Sequence, residues 1–262
     1  MINAFILASG SKGNATLIFN ENTNLLIDFG ISEKELNSKL KNIGKNFANL
    51  DYFLFTHAHS DHILSYEKTP IDKRFTLKNI VPLKESNILK CYKEYSLGTF
   101  LVTPIKASHD SNPTCGFLIK DKDEELVYLT DTGMILPRTL KAIKNKTYYI
   151  IESNHDVEML LNSSRPEILK KRILSCEGHL SNEDSAFYMS HLIGERTKRI
   201  VLAHLSEECN TPEKALRTYY DVFNYQKIDV NNIDIKCANQ HEVVKLWLKL
   251  KFLVLVQLKK SF

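Results

Sequence analysis

Little in this 262-residue chain is extreme. Its five cysteines (Cys91, Cys115, Cys176, Cys209 and Cys237) share no regular spacing and form no Cys-x-x-Cys pair, so no disulfide framework is indicated and a reducing, cytoplasmic setting is expected. The opening MINAFILASGSKGN lacks the basic leader and long apolar core of a signal peptide. The final residues, from Val243 onward, are apolar but broken by lysines; no run is long enough to cross a bilayer, and no membrane insertion is expected. The charge excess is only +4, and mostly lysine, which argues neither for nor against a polyanionic partner. No linker, low-complexity tract or repeat divides the chain. With 43% hydrophobic and 25% charged residues there is material for a sizeable core, and one domain over residues 1–262 is expected, the stretch from about 235 to 262 forming strands.

What is present is an alternation of short β-type runs with turn signals. Strands are predicted over Asn3 to Ala8, Ala15 to Phe19, Leu25 to Asp28, 51–55, 99–106, 115–119, 125–130, Tyr148 to Ile151 and Arg199 to Ala203. A helix is predicted after Ser32, with Glu35 completing a capping box, Leu36, Leu40 and Ile43 on one face and Gly44 at its end. Others are predicted from Ser181 to about Glu195, with Asp184 as capping partner, and after Thr211, where Pro212 takes the first helical position. The lysine-rich region from about 64 to 96 is poorly patterned. The mixture predicts a layered α/β fold, strands inside and helices outside.

One stretch stands apart. Thr56 to His62 read THAHSDH, directly behind the apolar run 51–55. An ordinary core has no use for so many imidazoles and carboxylates. His57 and His59 can point to one side of an extended segment and grip an ion, while Asp61 and His62, from the next turn, can hold a second. Asp131 closes the run Leu126 to Thr130, His204 closes Ile200 to Ala203, and His109 follows Phe100 to Ala107. Four strand ends carrying such groups can converge on one sheet edge, where loops tolerate polarity and strands hold it still. Nitrogen and oxygen donors without thiolate suit two divalent ions, Mn or Zn with Fe also possible, and Asp131 is the natural bridge between them.

These residues resemble the metallo-β-lactamase superfamily. SGSKGNATL (Ser9 to Leu17), LLIDFG (Leu25 to Gly30), SHD (Ser108 to Asp110), TDTG (Thr130 to Gly133), ESNHDVEML (Glu152 to Leu160), GHLSNEDSA (Gly178 to Ala186) and AHLSEECNTPE (Ala203 to Glu213) narrow the resemblance to its WalJ/YycJ (VicX) group of bacterial nucleases. The resemblance implies an αββα four-layer sandwich with a dinuclear centre at its edge. It implies that His57, His59 and His109 bind one ion, that Asp61, His62 and His204 bind the other, and that Asp131 bridges. It implies 5′→3′ exonuclease activity, DNA favoured over RNA, by attack of a metal-activated hydroxide on phosphorus. His179 takes the place of a histidine that in the related tRNase Z enzymes contacts phosphate or protonates the leaving oxygen. Asp61, Asp131 and His179 are therefore the expected catalytic groups.

Glu152, Asn154 and His155 lie where tRNase Z carries an acidic motif, implying a supporting or substrate role. The loop Ser9 to Asn14 offers backbone N–H groups and small polar side chains (Ser9, Ser11, Asn14) to a phosphate, and Ser206 in the AHLS block is a further candidate contact. The basic cluster Lys170-Lys171-Arg172 becomes a backbone-binding track only if it flanks the metal edge. The stretch from Ile63 to about Ser96 departs from the group's pattern. Three rivals compete: a tRNase Z-like endoribonuclease, disfavoured by the lack of a Gly/Pro-rich arm; a glyoxalase-II-like thioesterase, disfavoured by the settings of Asp131 and His204; and a metal-stabilised binding protein.

Overall fold

In a computed structural model, which describes residues 1–246, two β-sheets lie face to face. In chain order the elements are β1 (Asn3–Ala8), β2 (Ala15–Phe19), β3 (Asn24–Ile27), α1 (Glu33–Asn42), β4 (Tyr52–Leu54), α2 (Ser60–Ile63), β5 (Arg74–Phe75), β6 (Tyr95–Leu97), β7 (Phe100–Lys106), β8 (Cys115–Asp121), β9 (Glu124–Leu129), α3 (Pro137–Ile143), β10 (Tyr148–Glu152), α4 (Val157–Asn162), α5 (Glu167–Ile173), α6 (Asn182–Leu192), β11 (Arg199–Ala203), α7 (Pro212–Tyr225), β12 (Asp234–Cys237) and β13 (Val244–Lys245). The first sheet runs β13-β1-β2-β3-β4-β5, antiparallel up to β3 and parallel beyond. The second runs β12-β11-β10-β9-β8-β7-β6, parallel from β12 to β9 and antiparallel from there to β6.

The layering follows from period-two alternation along apolar strands. Leu126, Tyr128, Tyr148, Ile150, Val201 and Ala203 turn inward to the first sheet. Their neighbours Val127, Leu129, Tyr149, Ile151, Ile200 and Leu202 turn outward to Ala186 and Met189 of α6 and Ala215, Tyr219 and Phe223 of α7. On the other side, α1 lays Leu36 and Leu40 into the core of the first sheet. The result is an α/β sandwich of the kind the sequence predicts.

Local signals account for most boundaries. Ser32 Oγ accepts from Glu35 N, but the Glu35 carboxylate turns to Lys39 Nζ at 3.2 Å and does not close the box. Gly44, at φ 71°, ends that helix in the left-handed conformation that glycine adopts most readily. Ser181 Oγ accepts from Asp184 N and donates to Asp184 Oδ2. The α6 helix stops at Leu192, short of the expected Glu195, because Gly194 and its turn follow. Helices α3, α4 and α5, of six or seven residues, are too short to show periodicity. The poorly patterned 64–96 region carries three single 3₁₀ turns and the short β5 and β6. Of the expected C-terminal strands, β12 and β13 are present; the tail beyond residue 246 lies outside the described residues.

Close approach of backbones fixes the rim. Gly30 N donates to Asn14 O, and Asn14 N donates to Asp61 O, so the loops after β1, β3 and β4 lie against one another. A Cβ on Gly30 would stand 1.6 Å from Asp61 O. Gly30→Ala is therefore expected to destabilise the protein by about 1–3 kcal/mol and to lower its metal content, checked by thermal unfolding and elemental analysis; a variant matching the parent in both refutes the packing argument.

Candidate metal centre

The strand ends meet as the sequence suggests. Asp28 after β3, Asp131 after β9 and His204 after β11 all adopt left-handed backbone conformations, at φ 60°, 55° and 57°. Non-glycine residues rarely do so, and the turn throws each polar side chain onto the rim rather than along its strand. The THAHSDH segment enters from β4 and turns into α2, so His57 and His59 precede the helix while Asp61 and His62 lie within it.

Ligand-capable atoms of His57, His59 and His109 lie within 4.8 Å of one another, as do those of Asp61, His62 and His204. Asp131 stands between the groups: its Oδ2 is 3.3 Å from His62 Nε2 and its Oδ1 is 3.5 Å from His204 Nε2. Each of four imidazoles is held from behind through Nδ1. His62 Nδ1 meets Asp28 Oδ2 at 2.7 Å, His204 Nδ1 meets Glu152 Oε1 at 2.8 Å, His109 Nδ1 meets Gly178 O at 3.0 Å and His57 Nδ1 meets Thr56 Oγ1 at 3.0 Å. Thr56 Oγ1 in turn donates to Asp28 Oδ2. With Nδ1 as the donor throughout, Nε2 of each ring is the atom left facing inward, the one a metal would take once it has lost any proton it carries.

A cation fits an observed vacancy of bonding. His57 Nε2, His204 Nε2 and Asp131 Oδ2 are buried and have no hydrogen-bond partner among the described residues. Buried polar atoms without partners are rare and destabilising, and divalent ions are the partners that two imidazoles and a carboxylate share. Glu152 is differently placed. Its Oε1 accepts from both His204 Nδ1 and His179 Nδ1 at 2.8 Å, and its Oε2 accepts from Thr132 N and Leu180 N. With its acceptors occupied, Glu152 serves as an anchor rather than a ligand, although its carboxylate lies in reach of Asp131, His179 and His204.

The metal-free electrostatics follow. Burial would raise the Asp131 carboxyl, but His204 and His62 hold it well below the usual range. Burial would lower His62 and His204; Asp131 and their anchoring carboxylates raise His62 well above normal and His204 to about 9. Burial and the neighbouring His62 keep His57 well below normal. Glu152, which burial alone would raise, is drawn down to about 2 by His179 and His204.

A cavity of about 440 Å³ opens onto this cluster. Of the expected substrate contacts, Ser11, Asn154, His179 and Ser206 line it. Three others do not. Ser9 is buried, with its Oγ accepting from His204 N; Asn14 is buried and its Nδ2 lies 3.3 Å from Asp61 Oδ2 and 3.0 Å from His62 Nε2; His155 is buried away from the opening. In the Ser9 to Asn14 loop, expected to cradle a phosphate, most of the backbone amides already have partners within the protein. Gly10 N donates to Asn14 Oδ1, Lys12 N to Gln240 Oε1, Gly13 N to Gly10 O and Asn14 N to Asp61 O, so these amides are taken up in holding the rim together. Sequence reasoning missed Asp28, Asp110 and Arg165. Asp28 carries the same signal as Asp131, a carboxylate closing an apolar run; Arg165 has no local signal.

Residues 23–205 match the profile of the "Beta-lactamase superfamily domain". The chain belongs to the beta-lactamase superfamily. The matched span runs from just before β3 to just after β11, so it takes in every ligand candidate from His57 to His204 together with Asp28. Within the superfamily, the chain is 37% identical over 228 residues to the "Exodeoxyribonuclease WalJ" of Streptococcus pneumoniae serotype 2, covering 81% of this chain and 85% of that protein. It is 34% identical over 224 residues to the "Exodeoxyribonuclease YycJ" of Bacillus anthracis, covering 80% and 84%. Membership in their group follows from these identities. Among solved structures, the metallo-beta-lactamase fold protein YhfI from Bacillus subtilis superposes with a TM-score of 0.67 at 14% identity over 93% of this chain and 99% of that one, a likeness of fold.

Because His204 carries a proton below about pH 9 in the metal-free protein, metal uptake must displace it. Apparent metal affinity is expected to rise with pH from about pH 6 to about pH 9, with protons released on loading. Calorimetric titration in buffers of different ionisation enthalpy checks this, and a pH-independent affinity without proton release contradicts it.

Proposed function

We propose that the chain is a metal-dependent phosphodiesterase, a 5′→3′ exonuclease that releases nucleotides from DNA, and that it works as one metallo-β-lactamase-type domain in the cytoplasm. The observation that carries this reading is the convergence of His57, His59, His109, Asp61, His62, His204 and Asp131 around buried atoms that lack partners. The names of the two relatives support DNA as substrate. The direction of attack and the preference for DNA over RNA rest on the resemblance to their group.

In this reading His57, His59 and His109 would hold one divalent ion and Asp61, His62 and His204 another, with Asp131 shared. Bound there, manganese or zinc would neutralise the non-bridging oxygens of a phosphodiester and acidify a water. The protein supplies orientation and proton handling. Glu152 holds His179 through Nδ1, leaving Nε2 free to face the cavity and, when protonated, to donate to the departing oxygen. Asn154 steadies the His204 turn, its Nδ2 donating to His204 O at 2.8 Å. The deep, largely enclosed position of Asp131 and His204 limits water, which strengthens every charge interaction at the rim.

The deciding assay incubates the protein with 5′- and 3′-labelled single strands, duplex DNA and RNA in manganese, zinc or magnesium. Mononucleotides released from the 5′ end of DNA are expected; thioester cleavage without nucleolysis, or DNA binding without cleavage, would overturn the reading. Asp131→Asn is expected to abolish turnover with the fold retained by circular dichroism, and to lower the unfolding midpoint of the metal-free protein because buried His62 and His204 lose the carboxylate beside them. His179→Ala is expected to slow turnover roughly 100-fold or more with metal content retained. Loss of metal in His179→Ala would show that the imidazole is a ligand instead.

A further inference from the structure

The wall of the cavity facing the ligand cluster comes from the segment spanning α4 and α5, and two arginines stand on it. Arg165 and Arg172 both line the opening, with the apolar side chains of Leu169 and Ile173 between them. Leu169, Arg172 and Ile173 fall at helical spacings of three and four, so α5 presents them on one face. Of the neighbouring lysines, Lys170 is buried and spent on structure: its Nζ donates to Leu161 O at 2.7 Å and pairs with Glu167 at 3.1 Å.

Each arginine is neutralised by a carboxylate from a different loop. Arg172 Nε donates to Asp110 Oδ2, while Asp110 Oδ1 reaches to 3.5 Å from His59 Nε2 and 3.4 Å from His109 Nε2. Arg165 Nε donates to Glu208 Oε2 at 3.0 Å, and its Nη2 lies 3.5 Å from Ser206 Oγ, two residues beyond His204. One guanidinium therefore sits beside each group of ligand candidates, and in each case an anionic oxygen from the protein takes its Nε–H. Both side chains keep solvent access, 23% for Arg165 and 51% for Arg172. Guanidinium forks are the donors best matched to phosphate, and a partly exposed ion pair is weak enough to exchange.

We propose that Arg165 and Arg172 form a clamp for the strand phosphates flanking the cleaved bond, with Glu208 and Asp110 standing in for those phosphates in the free protein. The inference rests on the phosphodiesterase reading. The ligand cluster addresses the phosphate being cleaved; the arginines, one at each end of that cluster, address its neighbours, and the Leu169–Ile173 strip faces the sugar and base between them. The clamp makes the site select a polymer over an isolated diester. The carboxylates keep uncompensated positive charge off the rim until a strand arrives.

The test compares a single-stranded oligodeoxynucleotide with bis(4-nitrophenyl) phosphate, which has no neighbouring phosphates, using the full chain loaded with manganese. Arg165→Gln and Arg172→Gln are each expected to raise KM for the oligonucleotide about tenfold and to reduce the preference for it over the small diester by a similar factor. Each is also expected to flatten the dependence of log KM on log salt by about 0.7. Glu208→Gln is expected to do the reverse, lowering the oligonucleotide KM severalfold, because it removes the stand-in and frees Arg165. A merely structural ion pair would respond in the same direction to loss of either partner, so parallel effects of Arg165→Gln and Glu208→Gln overturn the clamp. Unchanged preference in both arginine variants overturns it too, while wild-type cleavage of the oligonucleotide leaves the phosphodiesterase reading standing. Wild-type protein that cleaves neither compound overturns that reading and the clamp with it.

Discussion

Four of the imidazoles at the rim face one another because each is engaged from behind. His62 leans on Asp28, His204 on Glu152, His109 on the Gly178 carbonyl and His57 on Thr56. Two of these anchors are fully buried carboxylates, which a low-dielectric interior admits only when every oxygen is satisfied. Asp28 meets that condition with Thr56 N, Thr56 Oγ1 and His62; Glu152 meets it with two backbone amides and two imidazoles. The orientations of His57 and His62 descend from the Asp28 network and those of His179 and His204 from the Glu152 network, while the Gly178 carbonyl sets that of His109.

The sandwich supplies the anchors and the ligands by the same device. Asp28 closes β3 in the first sheet; Asp131, Glu152 and His204 close β9, β10 and β11, three neighbouring strands of the second. Parallel pairing from β9 to β11 brings those three ends to one edge in register, with Glu152 paired directly to Ala203, the residue before His204. Along β9, β10 and β11 the inward face packs against the other sheet and the outward face against α6 and α7, so polarity is left to the strand ends. A fold with two apolar faces per strand concentrates its chemistry at the rim of necessity.

Much of this was legible. Alternating runs such as Leu126 to Leu129 and Tyr148 to Ile151 marked strands whose position in the core followed, and His57, His59, Asp61, His62, His109, Asp131 and His204 come together as their places at strand ends implied. Glycine and serine in the Ser9 to Asn14 loop signal a turn without saying where its amides will point; here those of Lys12 and Asn14 meet Gln240 and Asp61. Asp110 and Arg165 were invisible because their roles depend on contacts with Arg172 and Glu208, distant in the chain. The short helices α4 and α5, which carry the cavity's second wall, lie below the length at which periodicity can be read.

The left-handed conformations of Asp28, Asp131 and His204 tie robustness to activity in an unusual way. Glycine would occupy any of these three backbone positions with less strain, so selection for a sturdier scaffold alone would drift toward it. Each such step would erase an anchor or a ligand. Within this architecture the least comfortable residues are the ones that cannot be exchanged, and gains in rigidity must be sought away from the strand ends.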